Sequence, residues 1–132
     1  MLDERFGKEY KLCSKKIIQL IFDAKQNVKQ YPFSLNFVIT KVPSNKKFQI
    51  VISAPKRIFK KAHDRNRIKR VCKETFRRNK EPLEQVLTRN NIQLALFLNY
   101  TQQEEFPHAL LMSKMEKLIE KLNTQLEKII NN

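Results

Sequence analysis

The apolar positions in the first half of the chain predict one helix followed by two strands. The helix begins after Ser14, whose side chain can cap it, and ends near Asn27. Its apolar positions are Ile17, Ile18, Leu20, Ile21, Phe22 and Ala24. Two runs rich in Phe, Val and Ile follow at 34–42 and 48–54, separated by a turn signal at 43–45. Apolar runs joined in this way predict an antiparallel β-hairpin.

Residues 1–13 show no periodicity and are predicted to form an extended arm, with Phe6, Tyr10 and Leu12 against the domain.

Alternation within the two predicted strands separates an apolar face from a wetter face. Side chains of a strand point to opposite sides in turn, so positions two apart share a face. The apolar face holds Leu35, Phe37 and Ile39 of the first strand and Phe48, Ile50 and Ile52 of the second. The wetter face holds Asn36, Val38 and Thr40 together with Gln49, Val51 and Ser53. We expect the first face to line the core and the second to be partly open.

The second half of the chain predicts helix, strand and helix. A helix over 62–79 has a buried stripe of Ile68, Val71, Cys72, Thr75 and Phe76, and Pro82 separates it from a short helical stretch that ends at Arg89. The apolar run from Ile92 to Leu98 is typical of a central strand covered on both faces. After Pro107, the final helix has apolar positions Leu111, Met115, Leu118, Leu122, Leu126 and Ile129, which we expect to pack on the sheet. The 132 residues therefore predict one α+β domain in the order α-β-β-α-β-α.

The basic residues are concentrated in one segment of the chain. The formal net charge is +14, and residues 41–80 alone contain 15 Lys and Arg against 2 acidic residues. Apolar residues are interleaved with these cations, so the segment reads as a folded basic surface. Such a charge excess favours binding to a polyanion. Because aromatic residues accompany the cations, structured or single-stranded RNA is favoured over duplex DNA.

The helix over 62–79 carries like charges at helical spacing. Arg65, Lys69, Lys73 and Arg77 recur every four residues, and like charges at that spacing destabilise an isolated helix. Their pattern indicates that phosphates lie opposite this side of the helix. A merely solvated surface is the alternative interpretation.

Several classes of protein and site are disfavoured. No stretch approaches the roughly 20 apolar residues of a membrane helix, and the start lacks a secretion signal, so a cytoplasmic protein is expected. Cys13 and Cys72 are far apart and are predicted to be reduced, partly buried thiols. A P-loop is disfavoured because it needs several glycines and the chain has only one, Gly7. Neither a carboxylate cluster for Mg²⁺ nor a histidine pair is evident, and Asp64 beside His63 is better explained by the helix dipole than by catalysis.

An ordered set of segments resembles the bacterial ribonuclease P protein family. Residues 64–76, Asp-Arg-Asn-Arg-Ile-Lys-Arg-Val-Cys-Lys-Glu-Thr-Phe, are similar to the family's Arg-Asn-Arg signature helix. The arm at 6–12, the strand at 37–39 and the segment 51–57, Val-Ile-Ser-Ala-Pro-Lys-Arg, occur in the family's order and spacing. The resemblance covers nearly the whole chain.

The resemblance implies a fold and a function. The fold would be a four-stranded mixed sheet with a left-handed βαβ crossover, its additional strand near Gln30–Ser34. The function would be to assist a catalytic RNA that removes the 5′ leader of precursor tRNA. Mg²⁺ would be held mainly by the RNA, and no catalytic side chain is expected in the protein. The implied partners are the catalytic RNA and precursor tRNA, and no obligate protein partner is inferred.

The resemblance also assigns residues to two RNA sites. The signature helix would present Arg65, Asn66, Arg67, Lys69, Arg70 and Lys73 to RNA, with Lys56, Arg57, Lys60 and Lys61 beside it, although Arg67 is alternatively a support of the fold. A leader cleft would comprise Ile18, Phe22, Val38, Thr40, Val51, Ser53 and Arg57. The family often has aromatic residues where Ile18 and Thr40 stand, so base stacking should depend more on Phe22.

The sequence is also compatible with a second function and weakly with a third. A ribosomal or other structural RNA-binding protein could use the same basic helix without any role in cleavage. A nuclease acting without an RNA subunit is disfavoured because the sequence shows no metal ligands.

Overall fold

The structure, a computed structural model, describes residues 7–131, which form four α-helices and four strands. Phe6 of the predicted arm lies outside this range. A 3₁₀ turn at Lys8–Tyr10 is followed by α1 (Lys15–Ala24), β1 (Gln26–Gln30), β2 (Phe33–Ile39), β3 (Phe48–Ser53), α2 (Ala62–Asn79), α3 (Glu81–Arg89), β4 (Leu94–Tyr100) and α4 (His108–Ile130). The bounds predicted for α2 are those observed, and β4 begins two residues later than the apolar run suggested.

The four strands form one mixed sheet in the order β1-β2-β4-β3. β4 pairs antiparallel with β2 and parallel with β3, which confirms its central position. The predicted hairpin between β2 and β3 is therefore wrong. Instead of a tight turn, the segment between them passes the end of β4, where the Gln93 side chain donates to the carbonyls of Ser44 (3.0 Å) and Lys46 (2.9 Å). A non-local hydrogen-bonding partner thus overrides the local turn signal.

The start of the sheet also differs from the sequence prediction. α1 ends at Ala24, because Lys25 adopts a left-handed conformation (φ 54°), and β1 follows at once where the helix was predicted to continue. The range near Gln30–Ser34, expected to form the additional strand, contains the turn between β1 and β2. β1 has one apolar residue, Val28, and is a strand because every residue from Gln26 to Gln30 pairs with β2.

Helices cover the two faces of the sheet unequally. The predicted apolar face packs against α2, α3 and α4 in the main core, where Leu35, Phe37, Phe48 and Leu96 are at most 1% exposed. Burying each of these side chains contributes about 1.5–3 kcal/mol. On the opposite face, a smaller cluster consists of Leu12, Ile21, Val42 and Ala95. This arrangement leaves part of the second face open beside α1.

The two cysteines occupy different environments. Cys72 is fully buried on α2, and burial raises the pKa of its thiol to about 12. Cys13 is exposed, which corrects the expectation of two partly buried thiols. It lies between Leu12, which packs into the small cluster, and Ser14, which caps α1 by accepting a hydrogen bond from the backbone N–H of Ile17 at 3.2 Å. The backbone there turns the Cys13 side chain outward.

We expect an aromatic disulfide reagent at pH 8 to modify one thiol of the folded protein rapidly. Thiolate is the reactive form, and the raised pKa and burial of Cys72 suppress it. Cys13→Ser should remove the rapid phase, and the second thiol should react only in denaturant. Rapid reaction of two thiols in the native protein would contradict the placement of Cys72.

Candidate RNA interface

Four polar and basic side chains of α2 face a groove. Asn66, Lys69, Arg70 and Lys73 are exposed on the helix and line one wall of a groove of about 750 Å³. The opposite wall is the arm from Gly7 to Leu12, and β3 forms the floor with Ile50, Val51 and Ile52. The arm is fixed there because the backbone N–H of Leu12 donates to the carbonyl of Ile50 at 3.0 Å. The wall thus presents three cations and one amide. These groups complement an RNA backbone, which supplies anions and hydrogen-bond acceptors.

Arg65 holds the loop that precedes α2. Its Nη1 atom donates to the carbonyl of Phe59 at 2.8 Å and to the carbonyl of Lys60 at 3.1 Å. These bonds fix the backbone that carries Lys60 and Lys61 at the start of the helix. Arg65 therefore positions basic neighbours in addition to contributing its own charge.

Arg67 is committed to carboxylates. Its Nε and Nη2 atoms donate to the two oxygens of Glu105 at 2.8 Å each, and Nη2 also donates to Asp64 at 3.1 Å. The hydrogen bond with Glu105 is the main reason that the pKa of Arg67 is raised and that of Glu105 lowered. This geometry favours a role of Arg67 in supporting the fold over a contact with RNA. It also engages Asp64, whose nearest oxygen is 3.7 Å from the His63 ring.

We expect Arg67→Ala and Lys73→Ala to differ in the salt dependence of RNA binding. Removing one phosphate contact lowers the slope of log affinity against log salt by about one. Lys73→Ala should show that decrease, whereas Arg67→Ala should leave the slope nearly unchanged and slightly lower the melting temperature. Filter binding across a salt series measures both slopes. Equal decreases for the two variants would refute the distinction.

The remaining predicted cations lie around the loop between β3 and α2. Lys56, Arg57, Lys60 and Lys61 are all exposed. Arg57, Lys60 and Lys61 border a hollow of about 630 Å³ whose other lining residues include Asp64, Arg67 and Glu105. This part of the surface therefore has mixed charge, unlike the α2 groove.

The second face of the sheet forms an aromatic cleft beside α1. Phe22 is 44% exposed, and its ring packs edge-on against Phe97 with the centroids 5.0 Å apart. In the sheet, Phe97 of β4 lies between Asn36 of β2 and Val51 of β3. Ile18, Val38 and Val51 pack around the same cluster. An exposed ring resting on a second ring is a suitable platform for a nucleobase.

The structure brings together some of the predicted cleft residues and separates others. Ser53 lies one row beyond Val51, opposite Asn99 of β4. Thr40 follows the end of β2 and lines a separate hollow of about 550 Å³ with Lys41, Lys46 and Lys47. Arg57 borders the mixed-charge hollow described above. The aromatic cleft therefore contains Ile18, Phe22, Val38, Val51 and Ser53 of the predicted set.

Sequence reasoning missed Phe97 and its polar neighbours. The continuous apolar run from Ile92 to Leu98 predicts a strand buried on both faces, and this pattern conceals the difference between the two faces. Alternation does separate them, because Leu94, Leu96 and Leu98 join the main core, whereas Ala95 and Phe97 join the cluster under α1. Applying the period of two to this strand would have placed Phe97 and Asn99 on the wetter face.

Three carboxylates on or near α2 are engaged by arginines. Asp64 and Glu105 bind Arg67, and Glu74 accepts hydrogen bonds from Arg77 and Arg78 that lower its pKa to about 2. Within residues 7–131, no group of three or more His, Cys, Asp or Glu could hold a metal ion. These donors do not fit a protein-bound Mg²⁺.

No helix within residues 7–131 is long and apolar enough to cross a membrane.

Comparisons with known proteins identify the family. The family model for ribonuclease P matches residues 6–123. The Staphylococcus aureus RNase P protein structure superposes with a TM-score of 0.66 and 19% identity, over 87% of this chain and 96% of that one. The Thermotoga maritima RNase P protein gives a TM-score of 0.64 and 20% identity, over 84% of this chain and 96% of that one. No curated protein matches the chain. The fold is that of these two structures, and the match over residues 6–123 shows that the chain belongs to the ribonuclease P protein family.

Proposed function

We propose that this chain is the protein subunit of a ribonucleoprotein ribonuclease P. It binds the catalytic RNA through the α2 groove and the 5′ leader of precursor tRNA in the aromatic cleft. In this role it promotes Mg²⁺-dependent endonucleolytic removal of the leader. Bond cleavage belongs to the RNA, which also holds Mg²⁺, and the protein contributes binding and positioning.

The observation that carries this proposal is the position of the two surfaces on either side of β3. Ile50, Val51 and Ile52 form the floor of the α2 groove, and Val51 also packs in the cluster that supports the aromatic cleft. An RNA bound in the groove and a strand bound in the cleft would therefore be held next to one another. A ribosomal or other structural RNA-binding protein would need the groove but not the exposed Phe22–Phe97 platform.

The electrostatics support the same role. The net charge of +14 offsets part of the repulsion between two polyanions that must approach closely. Neutralising roughly six to ten phosphates would make the affinity fall by about 10³ to 10⁵ between 50 and 200 mM salt. The protein should therefore stimulate cleavage most at low Mg²⁺, where the repulsion between the two RNAs is least screened.

The proposal is tested by the affinity of the catalytic RNA for precursor and mature tRNA, with and without this protein. We expect the protein to strengthen binding of the precursor much more than that of the mature tRNA, since only the precursor has a leader. Equal strengthening of both would contradict a leader site. Binding of ribosomal RNA with no effect on either tRNA would instead support the structural RNA-binding alternative.

A further inference from the structure

A row of polar side chains borders the aromatic cleft. Asn27 of β1 lies opposite Asn36 of β2, and Asn36 lies opposite Phe97 of β4. Directly opposed residues on one face of an antiparallel pair have Cβ atoms about 4.5–5.5 Å apart. Asn36 is therefore an immediate neighbour of the ring that supports Phe22. The row continues with Ser34, Asn99 and Ser53 in the next register position.

A hydrogen bond from Asn27 orients the Asn36 amide in the structure. The Asn27 Nδ2 atom donates to the Ser34 hydroxyl at 3.0 Å and to the Asn36 Oδ1 atom. The structure therefore places the oxygen of Asn36 on the side facing Asn27 and its Nδ2 atom on the other side of the amide. The Asn36 Nδ2 atom has no hydrogen-bond partner within residues 7–131. Asn36 thus directs its N–H donors, and not its carbonyl oxygen, away from Asn27.

An N–H donor at this place would discriminate between bases when the exocyclic group at C6 of a purine or C4 of a pyrimidine faces it. A base stacked on Phe22 would bring one edge towards the neighbouring Asn36 donors. Guanine O6 and uracil O4 accept hydrogen bonds, whereas the adenine N6 and cytosine N4 amino groups donate them. A donor facing a donor is left without a partner, which is unfavourable in a partly desolvated cleft.

We propose that Asn36, oriented by Asn27, selects guanine or uracil over adenine or cytosine at one position of the bound single strand. This inference rests on the proposed leader site and adds a specificity residue to it. Asn36 contacts the base, whereas Asn27 is a positioning residue that acts through the Asn36 amide. Asn36 belongs to neither of the residue sets implied by the family resemblance.

The test is a set of precursor tRNAs in which each leader position in turn carries G, A, U or C. Equilibrium affinity is measured for the complex of catalytic RNA and protein. At one position we expect G and U to bind about twofold to tenfold more tightly than A and C, the range for one hydrogen bond. Asn36→Leu should abolish that preference, and the isosteric Asn36→Asp, which presents acceptors, should reverse it. Asn27→Ala should weaken the preference by releasing the Asn36 amide.

Gln85→Leu is the matched control, because Gln85 is an exposed amide on α3. It should retain the full base preference. The inference would be overturned if the wild type showed no preference for G and U over A and C. It would also be overturned if that preference persisted in both Asn36→Leu and Asn36→Asp. If the leader still strengthened binding in that case, the proposed function would stand. Loss of any leader effect in the wild-type complex would overturn both.

Discussion

Replacing Lys69, Arg70 and Lys73 together with alanine is expected to produce the largest loss of binding to the catalytic RNA. These side chains are exposed along one wall of the α2 groove, and no hydrogen bond or ion pair within residues 7–131 engages them. Each phosphate contact contributes about one unit to the slope of log affinity against log salt. The variant should therefore have a slope smaller by about three. Raising the salt from 50 to 200 mM weakens binding of both proteins. The fold loss of affinity should be about 40 to 60 times larger for the wild type than for the variant.

A variant with the same loss of charge separates site binding from a general electrostatic effect. Lys117, Lys121 and Lys128 are exposed on α4, outside the groove, and their replacement by alanine also removes three positive charges. We expect this control to change the slope much less than the α2 variant. Similar slopes for the two triple variants would show that net charge, and not the α2 groove, determines the binding.

Phe22→Ala is expected to weaken binding of precursor tRNA about fivefold to a hundredfold and to spare mature tRNA. Stacking of a base on an aromatic side chain contributes about 1–3 kcal/mol, which corresponds to that range. Phe22 offers the exposed ring of the cleft, and Phe97 supports it from the sheet. The measurement is the affinity of the RNA–protein complex for the two tRNAs at constant salt.

Leu20→Ala provides the control for this prediction. Leu20 is 41% exposed, close to the 44% of Phe22, but residues two apart on a helix do not share a face. We expect this substitution to leave the affinities for both tRNAs unchanged. Equal losses for precursor and mature tRNA in Phe22→Ala, or equal effects of the two substitutions, would refute the leader cleft.

The sequence predicted elements with strong periodicity better than it predicted their pairing. The bounds of α2 follow from a buried stripe at helical spacing, and the central place of β4 follows from its continuous apolar run. The hairpin prediction failed because strand order depends on non-local contacts, among them the bonds from Gln93 to the loop after β2. β1 was missed because Gln-Asn-Val-Lys-Gln has almost no apolar signal and is a strand only through its pairing with β2.

The candidate site was predictable as a set of residues but not as a geometry. The helical spacing of Lys69 and Lys73 and the alternation of Val51 and Ser53 placed these residues on exposed faces. The partners of the arginines could not be predicted, because Arg67 binds Glu105, 38 positions away along the chain, and Arg65 binds backbone carbonyls. The role of Asn36 depends on a strand that sequence patterns did not detect.

The role of the protein as a cofactor of a catalytic RNA is measured by the rate of precursor-tRNA cleavage at low Mg²⁺ with the catalytic RNA alone, the protein alone and the two together. We predict negligible cleavage by the protein alone, slow cleavage by the RNA alone, and strong stimulation when both are present. Cleavage by the purified protein without RNA, or no stimulation of the catalytic RNA by a protein shown to be folded, would contradict this role.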